Sequence, residues 1–267
     1  MLESALVKVS LKEPVAKFQE MAALLKGFGT KKIFLVHVQT SHQKKKEDVV
    51  VSKLEELAQK VREQGFEVQT YVKEGHVASR IIDTARELNA DYICIYWLPK
   101  GIIKQALWGS IDSDILRMSN NPIFVYNRGY LGLRNTEVEN VLYATDFKYT
   151  DSKVMPYLLN KNFQAESLFL LHVGERAPDP HTEKKRQERA HENLQRLASE
   201  CTHAYDKVQT LDVVGRINTQ IIRQAKKNKV DLIVIGKTDS PNPFKKLMGS
   251  TAEVIPNKAK RSVFIVS

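Results

Sequence analysis

Ala90-Asp91-Tyr92-Ile93-Cys94-Ile95 and Val230-Asp231-Leu232-Ile233-Val234-Ile235 are one short pattern written twice, 140 residues apart (231 − 91 = 140). Each sets an aspartate before a continuous aliphatic or aromatic run. Such a run suits a strand covered on both faces, and hence a parallel sheet. The same offset relates Gly75 to Gly215, Gly109-Ser110 to Gly249-Ser250, and Ile123-Phe124-Val125 to Val263-Phe264-Ile265. Nearer the start, Val36-His37-Val38 and Leu171-His172-Val173 are offset by 135 (172 − 37 = 135), which reads as a change in loop or helix length. One register held across separate landmarks marks a duplicated domain. The copies are expected at residues 1–130 and 136–267, joined by the aperiodic, glycine-containing stretch from Asn127 to Thr136.

Working outward, strands and helices alternate in both copies. The first copy predicts strands Ala5 to Val9, Lys32 to Val38, Phe66 to Val72, Tyr92 to Tyr96 and Ile123 to Tyr126. Its helices are Pro14 to Lys26, Val49 to Gln64, Val77 to Leu88 and one following Gly109. The second copy predicts strands Val141 to Thr145, Ser167 to Val173, Lys207 to Val213, Asp231 to Gly236 and Ser262 to Val266, with helices beginning near Asp151, Pro180, Ile217 and Ser250. Repeated βα units build a doubly wound α/β domain with a parallel sheet. Ligands of such sheets bind beyond the carboxyl ends of the strands, where the winding direction reverses. Residues just after the first, second and fourth strands are therefore the places to search.

Composition narrows the class. With 267 residues, 42% hydrophobic and 27% charged, the chain reads as an ordinary globular protein with a normal core in each copy. The opening Met1 to Val9 has no basic segment followed by a long apolar stretch, and no run approaches a membrane span, so a cytoplasmic protein without a membrane segment is expected. Cys94 and Cys201 have no CxxC or Cys/His company and read as structural thiols. The net charge of +10 divides as 19 − 15 = +4 over residues 1–132 and 22 − 16 = +6 over residues 133–267. That spread, with no recognition-module signature, argues against specific nucleic-acid binding.

At the expected ligand end, Ala144-Thr145-Asp146-Phe147 follows the first strand of the second copy, and Ser10 holds the matching place in the first. Asp146 can accept hydrogen bonds from a base amine or a ribose hydroxyl, or can cap the helix that follows. After the fourth strand, the segment from Gly236 to Thr251 ends in Gly249-Ser250-Thr251 at a helix start. Backbone amides, hydroxyls and a helix dipole suit phosphate there, while Ser250 also fits as a plain N-cap. His37 and His172 recur because the domain recurs, and neither has a second ligand nearby in sequence. His181, His191 and His203 are spaced by 10 and 12 residues, away from the i, i+4 face that metal binding uses. No nucleophile–base set, Gly-x-Ser-x-Gly elbow, HExxH or P-loop occurs, so a classical enzyme is not expected.

Together, Val141 to Asp146, Leu171-His172-Val173, Val214-Gly215, Val230 to Gly236, Gly249-Ser250-Thr251 and Ser262 to Val266 resemble the universal stress protein family in tandem form, two domains like UspA in one chain. The resemblance covers nearly the whole chain. It implies a Rossmann-like fold, similar to the adenine nucleotide alpha hydrolases, with five parallel strands per domain in the order 3-2-1-4-5. It also implies an intramolecular pseudo-dimer through the last strands, or a homodimer. Nucleotide-binding members carry Gly, two residues, Gly, nine residues, then Gly with Ser or Thr, and an aspartate after the first strand. The second copy matches at Gly236, Gly249 and Ser250, and Asp146 fits the aspartate. The implied site for ATP or AMP comprises Thr145, Asp146, Val173, Gly236, Gly249, Ser250 and Thr251, with no metal beyond the magnesium that accompanies a nucleotide.

Asp239 departs from the pattern, standing where the middle glycine belongs. Two like charges a few ångströms apart cost about 1 kcal/mol in water and more in a cleft, although Lys237, Lys245 and Lys246 offset this. In the first copy the glycine places fall on Tyr96, at the strand end, and on Pro99, within an apolar loop that runs from Trp97 to Trp108. Two functions are therefore expected as alternatives. One is a stress-response protein with a regulatory adenine nucleotide in the second domain, at most hydrolysing it slowly. The other is an interaction module or apolar-ligand carrier that uses the aromatic loop of the first.

Overall fold

A computed structural model describes residues 1–40, 46–97, 111–127, 138–148, 150–160, 165–237 and 251–267. The chain divides into two compact units, Met1–Gly129 and Tyr130–Ser267. The first contains β1 (Ser4–Lys8), α1 (Val15–Gly27), β2 (Lys32–Gln39), α2 (Glu47–Arg62), β3 (Glu67–Glu74), α3 (Val77–Glu87), β4 (Tyr92–Trp97), α4 (Ile111–Met118) and β5 (Ile123–Asn127). Its strands are all parallel, in the order β3-β2-β1-β4-β5.

The second unit contains β6 (Asn140–Thr145), α5 (Asp151–Leu158), β7 (Ser167–Gly174), α6 (Pro180–Cys201), β8 (Lys207–Val214), α7 (Ile217–Lys227), β9 (Leu232–Gly236), α8 (Thr251–Lys258) and β10 (Ser262–Val266). Its parallel order is β8-β7-β6-β9-β10. Both units thus have the expected 3-2-1-4-5 winding. Element bounds differ from the sequence reading by only one or two residues: β4 runs on to Trp97, for example, and α2 begins at Glu47.

The inner strands form as they do because their residues are apolar on both faces, whereas β3 and β8 mix polar with apolar residues and stay largely half-exposed or exposed. All of β4, β5 and β10 are buried, and the core closes on Phe18, Tyr92 and Phe124 in one unit and on Leu142, Ile233 and Phe264 in the other. Free Cys94 and Cys201 lie inside this packing, where burial pushes the Cys201 thiol up to about 12 and raises that of Cys94 further. A thiol held protonated is a poor nucleophile.

The repeated landmarks fall on scaffold joints. Asp91 accepts the Ser4 amide at 3.0 Å, and Asp231 accepts the Glu139 and Asn140 amides at 3.1 and 2.8 Å. In each unit this carboxylate ties the amino end of the fourth strand to that of the first, opposite the carboxyl ends of the strands. Gly75 and Gly215 have φ of +128° and +138°, a region open to glycine. A side chain five residues on crosses each of them to bond the preceding carbonyl, Arg80 to Glu74 and Gln220 to Val214, both at 2.9 Å.

Candidate functional site

Parallel strands end together, so the residues after β6, β7 and β9 become neighbours. Register pairs Thr145 with His172 on one side of β6 and Ala144 with Ile235 on the other. Thr145, Asp146, Val173 and Gly236 thereby converge from three adjacent strand ends, and Thr251 opens α8. Gly249, Ser250, Asp239, Lys245, Lys246, Pro99 and Trp108 lie outside the described residues.

Asp146 is half-buried and is oriented by its own turn. Its Oδ1 accepts the Lys148 amide at 3.0 Å, an Asx-type turn, and the Thr150 hydroxyl at 2.8 Å. Its Oδ2 has no hydrogen bond among the described residues. Thr145 is buried and engaged internally: its hydroxyl donates to Asp151 Oδ1 at 2.6 Å and accepts the Phe147 amide at 2.9 Å. Tyr143 donates to the same Asp151 oxygen at 2.6 Å, and burial first, then that bond, raises its pKa well above the tyrosine range. Thr145 therefore shapes the turn instead of offering a free hydroxyl.

Gly236 is demanded by packing. A Cβ there would lie 2.2 Å from Thr150 Cβ and 2.6 Å from its Cγ2. The start of α5 thus rests directly on the end of β9. Thr150 joins two functions, holding Asp146 by its hydroxyl and covering Gly236 with its carbon side, and nothing in its sequence context marked it.

Phe147 takes a left-handed φ of 57°, uncommon for an aromatic residue, and its ring stacks on His172 with centroids 4.2 Å apart. Leu11 has φ 61° at the matching turn of the first unit. The two histidines share a structural contact: His37 Nδ1 meets Val9 O at 2.9 Å, and His172 Nδ1 meets Thr145 O at 3.4 Å. Burial, the largest cause, lowers the pKa of His172 and favours the neutral ring.

Beyond Val173, Arg186 of α6 spans two acids. It contacts Glu183 at 3.0 Å and grips Asp212 on β8 with two bonds of 3.0 and 3.1 Å. Glu183 also accepts the Ala177 amide at 2.9 Å, pinning the segment after β7. The bond from Arg186 is the main cause that holds the Glu183 carboxyl down at about 2.

The first unit carries different residues at the corresponding place. Ser10 replaces Asp146, with its amide bonded to Glu13 at 2.8 Å. Lys8, the counterpart of Ala144, forms a 2.6 Å ion pair with Asp112 in the first turn of α4, the counterpart of Ala252. An internal carboxylate thus sits at the helix start that would otherwise attract an anion. In the second unit both positions are alanine. Among the described residues no cluster of three or more His, Cys, Asp or Glu is placed to hold a metal, and no helix is long and apolar enough to cross a membrane.

The universal stress protein family model matches residues 18–127 and again residues 137–267. A crystal structure of a universal stress protein from Archaeoglobus fulgidus DSM 4304 is similar over 100% of this chain and 97% of that one, at 18% identity and a TM-score of 0.75. A functionally unknown protein from Pseudomonas aeruginosa PAO1 is similar over 99% of this chain and 92% of its own, at 19% identity and a TM-score of 0.69. At these identities the likeness is one of fold. No curated protein matches the chain. With the family pattern present once in each unit, and over most of each, the chain belongs to the universal stress protein family.

Proposed function

We propose that this chain is a cytoplasmic stress-response protein that takes an adenine nucleotide, ATP or AMP, into its second unit as a regulatory ligand. The observation that carries the reading is the contrast between the units at equivalent positions. The first joins its strand end to the helix start with the Lys8–Asp112 pair, whereas the second has alanines at 144 and 252 and a half-buried Asp146 held in place by Thr150. Asp146 would receive a hydrogen bond from the adenosine part, and the start of α8, with Thr251 and the preceding Gly249-Ser250, would receive phosphate. Magnesium would arrive with the nucleotide. Two buried free thiols fit a reducing compartment.

Asp239 supports the second reading, an interaction module or apolar-ligand carrier without nucleotide, because it sets a negative charge where phosphate would approach. Calorimetric titration of the whole chain with ATP and with AMP separates the two. The nucleotide reading expects binding that falls at least tenfold in Asp146→Ala. Absence of heat from the native chain, with binding restored by Asp239→Gly, overturns that reading and identifies the cause.

A further inference from the structure

One helical layer of the second unit carries a dense local surplus of positive charge. Residues 213–230, which include α7, carry five cations and no acid: Arg216, Arg223, Lys226, Lys227 and Lys229. The matching stretch of the first unit, residues 73–90, has three cations and three acids, for a net of zero. All five cations of the α7 stretch are exposed, and none forms an ion pair with a described residue. Helix α8 packs beside α7 and, with one acid, Glu253, adds exposed Lys258 at its end and exposed Lys260 just after it, neither of them in an ion pair with a described residue. The nearby Asp231 is occupied by the Glu139 and Asn140 amides.

Geometry turns this charge into a stripe. Arg223 neighbours Lys226 and Lys227 at i+3 and i+4, and Arg216 lies two turns before it, so the row spans about 16 Å at 1.5 Å per residue. Unpaired like charges so arranged repel one another and contribute little to the fold, since the helix is held by Ile221 and Ala225, which face inward. That inward apolar face also decides between polyanions. A helix that lies on a lipid surface must turn its apolar stripe outward. Here only Ile217 protrudes, at the helix start, while the exposed row is made of cations with a threonine between them.

We propose that the α7–α8 face is a sequence-independent nucleic-acid contact surface, gripping the phosphodiester backbone through Arg223, Lys226 and Lys227 with Arg216 and Lys229 at its ends. Backbone binding of this kind needs cations without base readout, and each phosphate neutralised steepens the salt dependence by about 0.9 in log–log slope. The proposal does not depend on the nucleotide site.

Fluorescence anisotropy of a labelled random-sequence DNA duplex of roughly two helical turns, titrated with the full chain between about 50 mM and 200 mM salt, tests it. Binding at the lower salt is expected. The triple variant Arg223→Glu, Lys226→Glu, Lys227→Glu should weaken it at least tenfold and flatten the salt slope by about 2 to 3. Reversal of Lys184, Lys185 and Arg189 on α6, an equal change of net charge elsewhere, should leave affinity within about twofold of native. Unchanged circular dichroism verifies the fold of both triples, and a milder triple change to Gln replaces the first if it fails that check. No duplex binding at low salt, equal losses from both triples, or binding to phosphatidylserine vesicles in place of duplex would each overturn the proposal.

Discussion

Gly236 faces Thr150 so closely that a Cβ on the glycine would lie 2.2 Å from that of the threonine. The contact joins the end of β9 to the start of α5, and Thr150 also holds Asp146 at 2.8 Å. Gly236→Ala is therefore expected to destabilise the ligand-free protein by about 1–3 kcal/mol, as overpacking does. Thr150→Gly in that background should recover part of the loss. Urea unfolding measures both effects; an unchanged ligand-free stability in Gly236→Ala would show that the glycine serves only a ligand.

The Lys8–Asp112 pair should contribute modestly to the first unit, because both side chains keep some solvent contact, 15% and 21% of full exposure. A double-mutant cycle with Lys8→Ala and Asp112→Ala is expected to give a coupling of about 1 kcal/mol, at the upper end for partly exposed pairs. A coupling indistinguishable from zero would remove the pair as the feature that sets this cleft apart.

Lys229 closes α7 in the left-handed region, with φ 51°, in a Schellman turn where the Val230 amide reaches Ala225 O at 2.9 Å. Asn89 closes α3 in the same way at φ 50°. Lysine pays a steric cost there that glycine does not, so Lys229→Gly should stabilise by about 1 kcal/mol and raise Tm by about 2–4 °C. Asn89→Gly should gain less, since asparagine tolerates this conformation. Thermal melts check the ordering of the two variants.

Acid should weaken the second unit through His172. Its folded pKa lies below the ordinary 6.5, chiefly from burial, so the neutral ring is favoured in the fold. Stability from this group is complete above about pH 6.5 and declines as pH falls from there through the folded value. His172→Gln should flatten that part of the stability–pH curve while leaving the decline near pH 4 to the carboxylates. An identical slope in native and variant protein between pH 7 and 5 would contradict the assignment.

The repeat, the strand order and the ends of most elements were legible in the residues, since apolar runs, glycine turns and aspartate joints are local signals. Asp91 and Asp231 hold the same place in the repeated pattern, while their bonds to the first strand of each unit belong to the fold. The candidate site was only half legible. Asp146 could be found because it directly follows a strand, but its geometry comes from Thr150, and Thr150 gains meaning only from Gly236, 86 residues away (236 − 150 = 86). The Lys8–Asp112 pair bridges 104 residues (112 − 8 = 104), and its two members lie in segments with no common pattern.

Charge followed the same division. Net charges of +4 and +6 in the two halves show no local concentration, whereas packing α8 beside α7 sets the cations of two separate segments on neighbouring helices. The sequence by itself determined which segments become strands and helices and that the same domain is built twice, because periodicity and turn chemistry act over a few residues. Only the tertiary structure decided which strand end carries an ion pair, which glycine is packed and which cations share a surface, because those depend on side chains that meet across strand ends and between helices.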